Sequence, residues 1–261
     1  MVGNAQSPLD AAVVLEARDV EMEFSGFRAI AGVSLKVHKG SVHGLIGPNG
    51  AGKTTLFNLL TRFLRPSAGQ IFFDGGNITD VKPSRLARMG LVRSFQISAT
   101  FANMSAMENV RVALRSHSRD SFDFWRSERV LDSLNERAME LLESVGLRNF
   151  ADAKASTLSY GRKRALELAT TLALNPTVML LDEPTAGMGH EDVEKIIELV
   201  RQAARQRTVL MVEHNLNVVS SLCDRITVLA RGKVLAEGGY DDVASDPRVV
   251  EAYIGHRKDG H

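Results

Sequence analysis

The chain has 261 residues, 44% of them hydrophobic and 24% charged, with a formal net charge of +1. These are the values of a globular protein with a real core, and they exclude both a disordered chain and a broad basic footprint for nucleic acid. The single cysteine, Cys223, excludes an internal disulfide and a cysteine-built metal cluster, and fits a reducing compartment.

Val14–Phe24 and Arg28–Val37 flank Ser25-Gly26 and read as a β-hairpin. The apolar run Val42–Ile46 reads as a buried strand, Thr55–Leu64 as a helix and Ile71–Phe73 as a further strand. No buried strand is expected from Ile97 to Ser156. There Val130, Leu131, Leu134, Ala138, Leu141, Leu142 and Val145 recur at helical spacing, and Gly146 supplies a C-terminal stop. The stretch Ser116–Ser127 is polar and aromatic together, a loop or a surface turn of helix. Thr177–Leu181, Thr208–Val212 and Ile226–Leu229 complete the strands, with a helix over Asp192–Ala204. Strands alternating with helices predict an α/β protein with a largely parallel sheet. Met1 to Ala12 lacks the basic start and apolar run of a secretory leader, and no segment approaches the roughly 18 apolar residues of a spanning helix. If the protein works at a membrane, another subunit is expected to cross it.

Gly47-Pro48-Asn49-Gly50-Ala51-Gly52-Lys53-Thr54 fits G-x-x-x-x-G-K-[ST] and lies between the predicted strand and helix that such a loop requires. Its backbone N–H groups turn inward on phosphates, and the helix N-terminus adds a positive dipole end. Lys53 is placed to reach the outer phosphates, and the Thr54 hydroxyl to take a position on Mg²⁺. The residues do not say which nucleotide is bound. Downstream, Leu180-Leu181 runs directly into Asp182-Glu183. Two acids at the end of a buried strand are costly unless they have work. Asp182 is a candidate to hold Mg²⁺ through water, and Glu183 to orient and deprotonate an attacking water. The bland alternative is a turn that starts before Pro184.

The ordered set Gly47–Thr54, Gln96, Leu158-Ser159-Tyr160-Gly161, Leu180–Pro184 and His214 resembles an ABC ATPase, over about residues 14 to 254. The resemblance implies a P-loop NTPase (RecA-like) core with an antiparallel β subdomain and an inserted α-helical subdomain. It divides the chain into an N-terminal core portion 1–96, a helical subdomain 97–157 and a C-terminal core portion 158–261. It also implies ATP and Mg²⁺ as cofactors and hydrolysis of ATP, with Glu183 and His214 as the catalytic pair. Phe24 is implied to stack on adenine, its alternative being ordinary strand packing. Thr55 joins the loop residues at the phosphates, and Gln96 attends the metal and reports to the membrane partner. Ser159 and Gly161 are implied to close over the nucleotide of a second ATPase subunit, itself or a paralogue, in a head-to-tail dimer. Two integral-membrane permease subunits, an indirect extracytoplasmic solute-binding protein and a peripheral place on the cytoplasmic face of the inner membrane follow from the same likeness. Nucleic acid is not an implied partner.

Within that family, Val92-Arg93-Ser94-Phe95-Gln96-Ile97, Glu108-Asn109-Val110, Tyr160 and Glu251-Ala252-Tyr253-Ile254-Gly255 resemble the longer ATPase of branched-chain amino acid importers. Uptake of urea, amides or aromatic acids, and lipid export, are the alternatives within transport. An ATPase of ribosomes or DNA would carry two cassettes or a long coiled coil, and a regulatory subunit would lack the intact Lys53, Asp182, Glu183 and His214. Arg162, where the family has a neutral residue, puts a cation near a phosphate, and Gly189 replaces a common Asp and weakens one cross-dimer contact.

Overall fold

The computed structural model describes residues 12–94, 100–117 and 128–255. In chain order its elements are β1 (Val13–Phe24), β2 (Phe27–His38), β3 (Val42–Ile46), α1 (Lys53–Leu60), β4 (Ala68–Phe73), β5 (Gly76–Asn77), α2 (Pro83–Arg88) and β6 (Leu91–Arg93). These are followed by α3 (Ala106–His117), α4 (Glu128–Ser144), α5 (Tyr160–Ala173), β7 (Val178–Asp182) and α6 (His190–Ala204). The last are β8 (Thr208–Val212), α7 (Leu216–Leu222), β9 (Arg225–Ala230), β10 (Lys233–Gly238), α8 (Tyr240–Ala244) and α9 (Pro247–Gly255). The chain divides into two compact units, one from residues up to Leu86 together with those from Ala204 on, the other from Ala87 to Ala203.

The first unit carries an antiparallel sheet in the order β2-β1-β4-β5. The expected hairpin is present, and Ser25 and Gly26 both have positive φ (46° and 87°). This is the mirror-image turn whose twist suits a two-residue connection. In the same unit β3 pairs in parallel with both β8 and β9, and β10 returns antiparallel to β9. All five residues of β3 and all five of β8 are buried, as in parallel strands covered on both faces, with His43 and Thr208 the polar residues among them. Phe57, Leu56 and Leu60 of α1 are fully buried; burying each side chain stabilises the unit by about 1.5–3 kcal/mol. At the end of the chain, Val243, Val249, Tyr240 and Tyr253 of α8 and α9 pack on Ile46, Val219, Ile226 and Val228.

Helix α1 begins and ends earlier than the sequence pattern predicts. The Thr61 hydroxyl donates back to the Phe57 carbonyl at 2.7 Å, and Arg62 turns into the left-handed region at φ 62°, which stops the helix before Leu64.

The second unit holds the parallel pair β6–β7 with α3, α4 and α5. Strand β6 was not predicted, because three residues show no period. Among the described residues from 100 to 156 the only strand-like pairing is an isolated bridge, Ser105 to Lys154. Helix α4 ends as its sequence predicts: Gly146 takes φ 73°, Leu147 N–H donates to Leu142 O at 2.7 Å and Gly146 N–H to Glu143 O at 3.0 Å. Helix α3 opens with a reciprocal cap. Ser105 Oγ accepts from Glu108 N–H at 3.1 Å, and Glu108 Oε2 accepts from Ser105 N–H at 2.7 Å. Hydrogen bonds to the carboxylate from Ser105, first its backbone N–H and then its side chain, hold the Glu108 carboxyl below the usual carboxylate range. Buried Asn109 staples the preceding loop through Phe101 N–H and the Phe101 and Ser105 carbonyls. Among the described residues no helix is long and apolar enough to cross a membrane.

Candidate functional site

In the first unit the phosphate loop leaves the end of β3 and enters α1 at Lys53. Gly47 is required by close approach: a Cβ there would lie 2.1 Å from the Leu229 carbonyl oxygen. Lys53 folds back over the loop, its Nζ donating to the Gly47 carbonyl at 2.7 Å and the Pro48 carbonyl at 3.0 Å. The ammonium is thus held inside the curve of backbone that contains Asn49, Gly50, Ala51 and Gly52. Ala51 is buried and anchored, its carbonyl accepting from Gly232 N–H at 3.0 Å. Asn49, Gly50 and Thr54 are exposed, and Thr55 is half-buried.

The register Leu45↔Val212 brings the carboxyl ends of β3 and β8 level, so His214 follows β8 at the same sheet edge as the phosphate loop. That edge is where open α/β sheets bind ligands. His214 is exposed, and its turn is built by Glu213, which the sequence reading missed. Glu213 is fully buried, and its Oε2 accepts from the backbone N–H of His214 at 3.0 Å and of Asn215 at 3.2 Å. An acid directly after a five-residue apolar run was the available signal. Phe24 ends β1 opposite Phe27, and both rings are exposed, at 42% and 70%. The hairpin therefore presents two aromatic faces where the sequence singled out one.

In the second unit Asp182 closes β7 and is buried, its Oδ2 accepting from Arg93 Nη2. The next residue, Glu183, has φ 47°, a left-handed backbone that a non-glycine residue adopts only when its surroundings hold it. Ser159 caps α5, its Oγ accepting from Arg162 N–H at 3.5 Å. Gly161 follows in the first turn, where a Cβ would meet the Asp192 carboxylate at 2.8 Å. The Arg162 guanidinium lies over the Phe150 ring at 3.9 Å, a cation–π contact that holds its charge on an aromatic face. Gly189 is exposed, with open space where a Cβ would be.

The structure thus gathers Gly47–Thr55, His214 and Phe24 on one unit, and Asp182, Glu183, Ser159 and Gly161 on the other. Gln96 lies outside the described residues.

A glycine loop between a parallel strand and a helix, closed on a lysine ammonium, defines a P-loop nucleotide-binding protein. The model of the ABC transporter family matches residues 30–186, and that of the branched-chain amino acid ATP-binding cassette transporter matches residues 233–259. The chain is 39% identical over 252 residues to the high-affinity branched-chain amino acid transport ATP-binding protein BraF of Pseudomonas aeruginosa, covering 93% of this chain and 98% of that one. It is 34% identical over 254 residues to the corresponding protein LivG of Escherichia coli K12, with coverage of 93% and 98%. Among solved structures it resembles the ADP conformation of an ATP-binding cassette of an ABC transporter, with TM-score 0.83 and 33% identity over 94% of this chain and 100% of that one. It also resembles a dimeric post-hydrolysis cassette bound to ADP and phosphate, with TM-score 0.75 and 26% identity over 87% and 98%. The chain belongs to the ABC transporter family, as an ATP-binding, ATP-hydrolysing cassette.

Proposed function

We propose that this cassette energises the import of branched-chain amino acids through separate permease subunits. The observation that carries the motor reading is the Lys53 ammonium held on the Gly47 and Pro48 carbonyls within the strand–loop–helix. The substrate class rests on the likeness to BraF and LivG over nearly the full length of each, and on the matching C-terminal segment 233–259.

ATP is the nucleotide in this reading. The loop amides from Gly47 to Gly52, with Lys53, Thr54 and Thr55, bind its phosphates, and Phe24 offers a face to the base. Mg²⁺ suits the hard oxygen donors available, the Thr54 hydroxyl and the Asp182 carboxylate, with Gln96 as a third ligand. Asp182, whose Oδ2 accepts from Arg93, would hold the metal through water. When bound, the metal neutralises charge on the phosphates. Glu183 takes the proton of the attacking water, and His214 holds the γ-phosphate from the β8 edge.

Ser159 and Gly161 serve the nucleotide of a second cassette, so the working unit is a head-to-tail pair of this chain or of this chain with a paralogue. The segment 97–157 acts as the helical subdomain between core portions 1–96 and 158–261, and with Gln96 it reports the nucleotide state to two permease subunits. An extracytoplasmic solute-binding protein delivers the cargo, and the cassette sits peripherally on the cytoplasmic face of the inner membrane. Phosphate release under multiple turnover tests the motor reading. Wild type is expected to turn over steadily, and a rate no higher than that of Glu183→Gln would overturn hydrolysis by this site.

A further inference from the structure

Arg93 lies outside the residues assigned above, yet it makes the closest polar contact to Asp182. Strands β6 and β7 run parallel with Arg93 opposite Leu180, and Ser94 N–H continues the ladder to the Leu180 carbonyl at 2.9 Å. Because side chains alternate with period two, Leu180 and Asp182 share one face of the pair, and Arg93 lies on that face two positions behind the acid. Its guanidinium reaches forward to Asp182 Oδ2. The side chains are 9% and 1% exposed, so the pair is buried.

Burial gives this contact its consequence. An ionised carboxylate without water is strongly unfavourable unless a counter-charge meets it, and an arginine cannot give up its proton to escape the cost. The carboxylate is therefore compensated before any cation arrives. A divalent ion that approaches Asp182 would meet a group whose charge is already balanced by the guanidinium beside it. At short range and reduced dielectric, that repulsion is large enough to shift an affinity by an order of magnitude.

We propose that Arg93 is a positioning residue that stands in for the divalent cation on Asp182 and sets how tightly the site holds Mg²⁺. It holds the metal-free carboxylate in place through the buried ion pair, and it makes the bound ion easier to release. The proposal rests on the reading that Asp182 serves the metal.

The test follows thermal unfolding of the full chain in saturating ADP while Mg²⁺ is titrated in from a chelated start, reading the Mg²⁺ concentration at half of the stabilising shift. Arg93→Gln is expected to unfold at a lower temperature without metal and to reach half-shift at about tenfold lower Mg²⁺ than wild type. Arg93→Lys, which keeps the charge on a single-point donor, is expected between the two and stands as the deciding variant if Arg93→Gln does not fold. A half-point equal to or above that of wild type in the deciding variant overturns the proposal. Asp182→Asn separates the two levels of the argument. A half-point raised in that variant supports the metal reading, whereas an unchanged one removes it and the role of Arg93 with it.

Discussion

The Tyr160 hydroxyl donates to the Ala186 carbonyl at 3.0 Å, which ties the first turn of α5 to the chain just past Glu183. Arg164 Nη2 donates to the same hydroxyl at 3.1 Å and pairs with Glu167 at 2.6 Å, so the tie is braced from within the helix. Tyr160 follows the Ser159 cap directly. The residue implied to serve a partner's nucleotide and the acid implied to serve the chain's own are thus joined through one phenol. Tyr160→Phe keeps the ring and removes the bond. The half-exposed site limits the loss of stability to about 0.5–1 kcal/mol. Turnover is expected to fall several-fold while ADP affinity holds. Denaturant unfolding, ADP titration and phosphate release measure the three, and a loss of ADP affinity matching the loss of turnover would count against the tie.

Lys53→Ala removes the ammonium from the Gly47 and Pro48 carbonyls. Gly47 and Pro48 are both buried, so leaving their carbonyls without this donor is expected to lower the unfolding free energy by about 1–3 kcal/mol. Calorimetric titration should find ADP binding abolished. Retained binding at wild-type affinity would show that the lysine is held by the loop for structure alone.

Glu183→Gln preserves shape and removes the base. The variant is expected to bind ATP, fail to hydrolyse it and accumulate as a dimer on size exclusion with ATP, reverting to monomer with ADP. Hydrolysis at the wild-type rate would remove Glu183 from the role of base. The positive φ at this position, 47°, adds a second expectation. Glu183→Gly should relieve a strain of order 1–2 kcal/mol and raise the unfolding midpoint although activity is lost.

His43 is buried on β3 with its Nε2 2.8 Å from Thr227 Oγ1. Burial, helped by the nearby charges of Arg225 and His38, pushes its pKa down to about 3. The folded chain keeps it neutral, while the unfolded chain protonates it below about pH 6.5. Between those limits the unfolded state binds more protons, so stability falls as pH falls. At pH 5 the loss from this residue is about 2 kcal/mol relative to pH 7.5. Denaturant midpoints of wild type and His43→Gln at the two pH values isolate it. An equal acid loss in both proteins would contradict it.

The parts of the site legible in the sequence were those written in consecutive residues. The loop from Gly47 to Thr54, the run into Asp182-Glu183, the hairpin at Ser25-Gly26 and the stop at Gly146 each depend on local backbone chemistry. The relationships that were not legible join residues far apart in the chain. Arg93 meets Asp182 only through the register of two parallel strands, one of them three residues long. The Arg162 guanidinium covers the ring of Phe150, which belongs to a different segment. Glu213 shows why a buried acid after a strand is easily passed over: its partners are backbone amides, which no side-chain pattern records.

The central claim, that ATP use by this cassette drives branched-chain amino acid import, is tested most directly by uptake of labelled leucine, isoleucine and valine. The cells carry wild-type or Lys53→Ala protein in place of the host copy, with expression of both matched. The account predicts uptake restored by wild type and absent with Lys53→Ala. Equal uptake with the two proteins would contradict it.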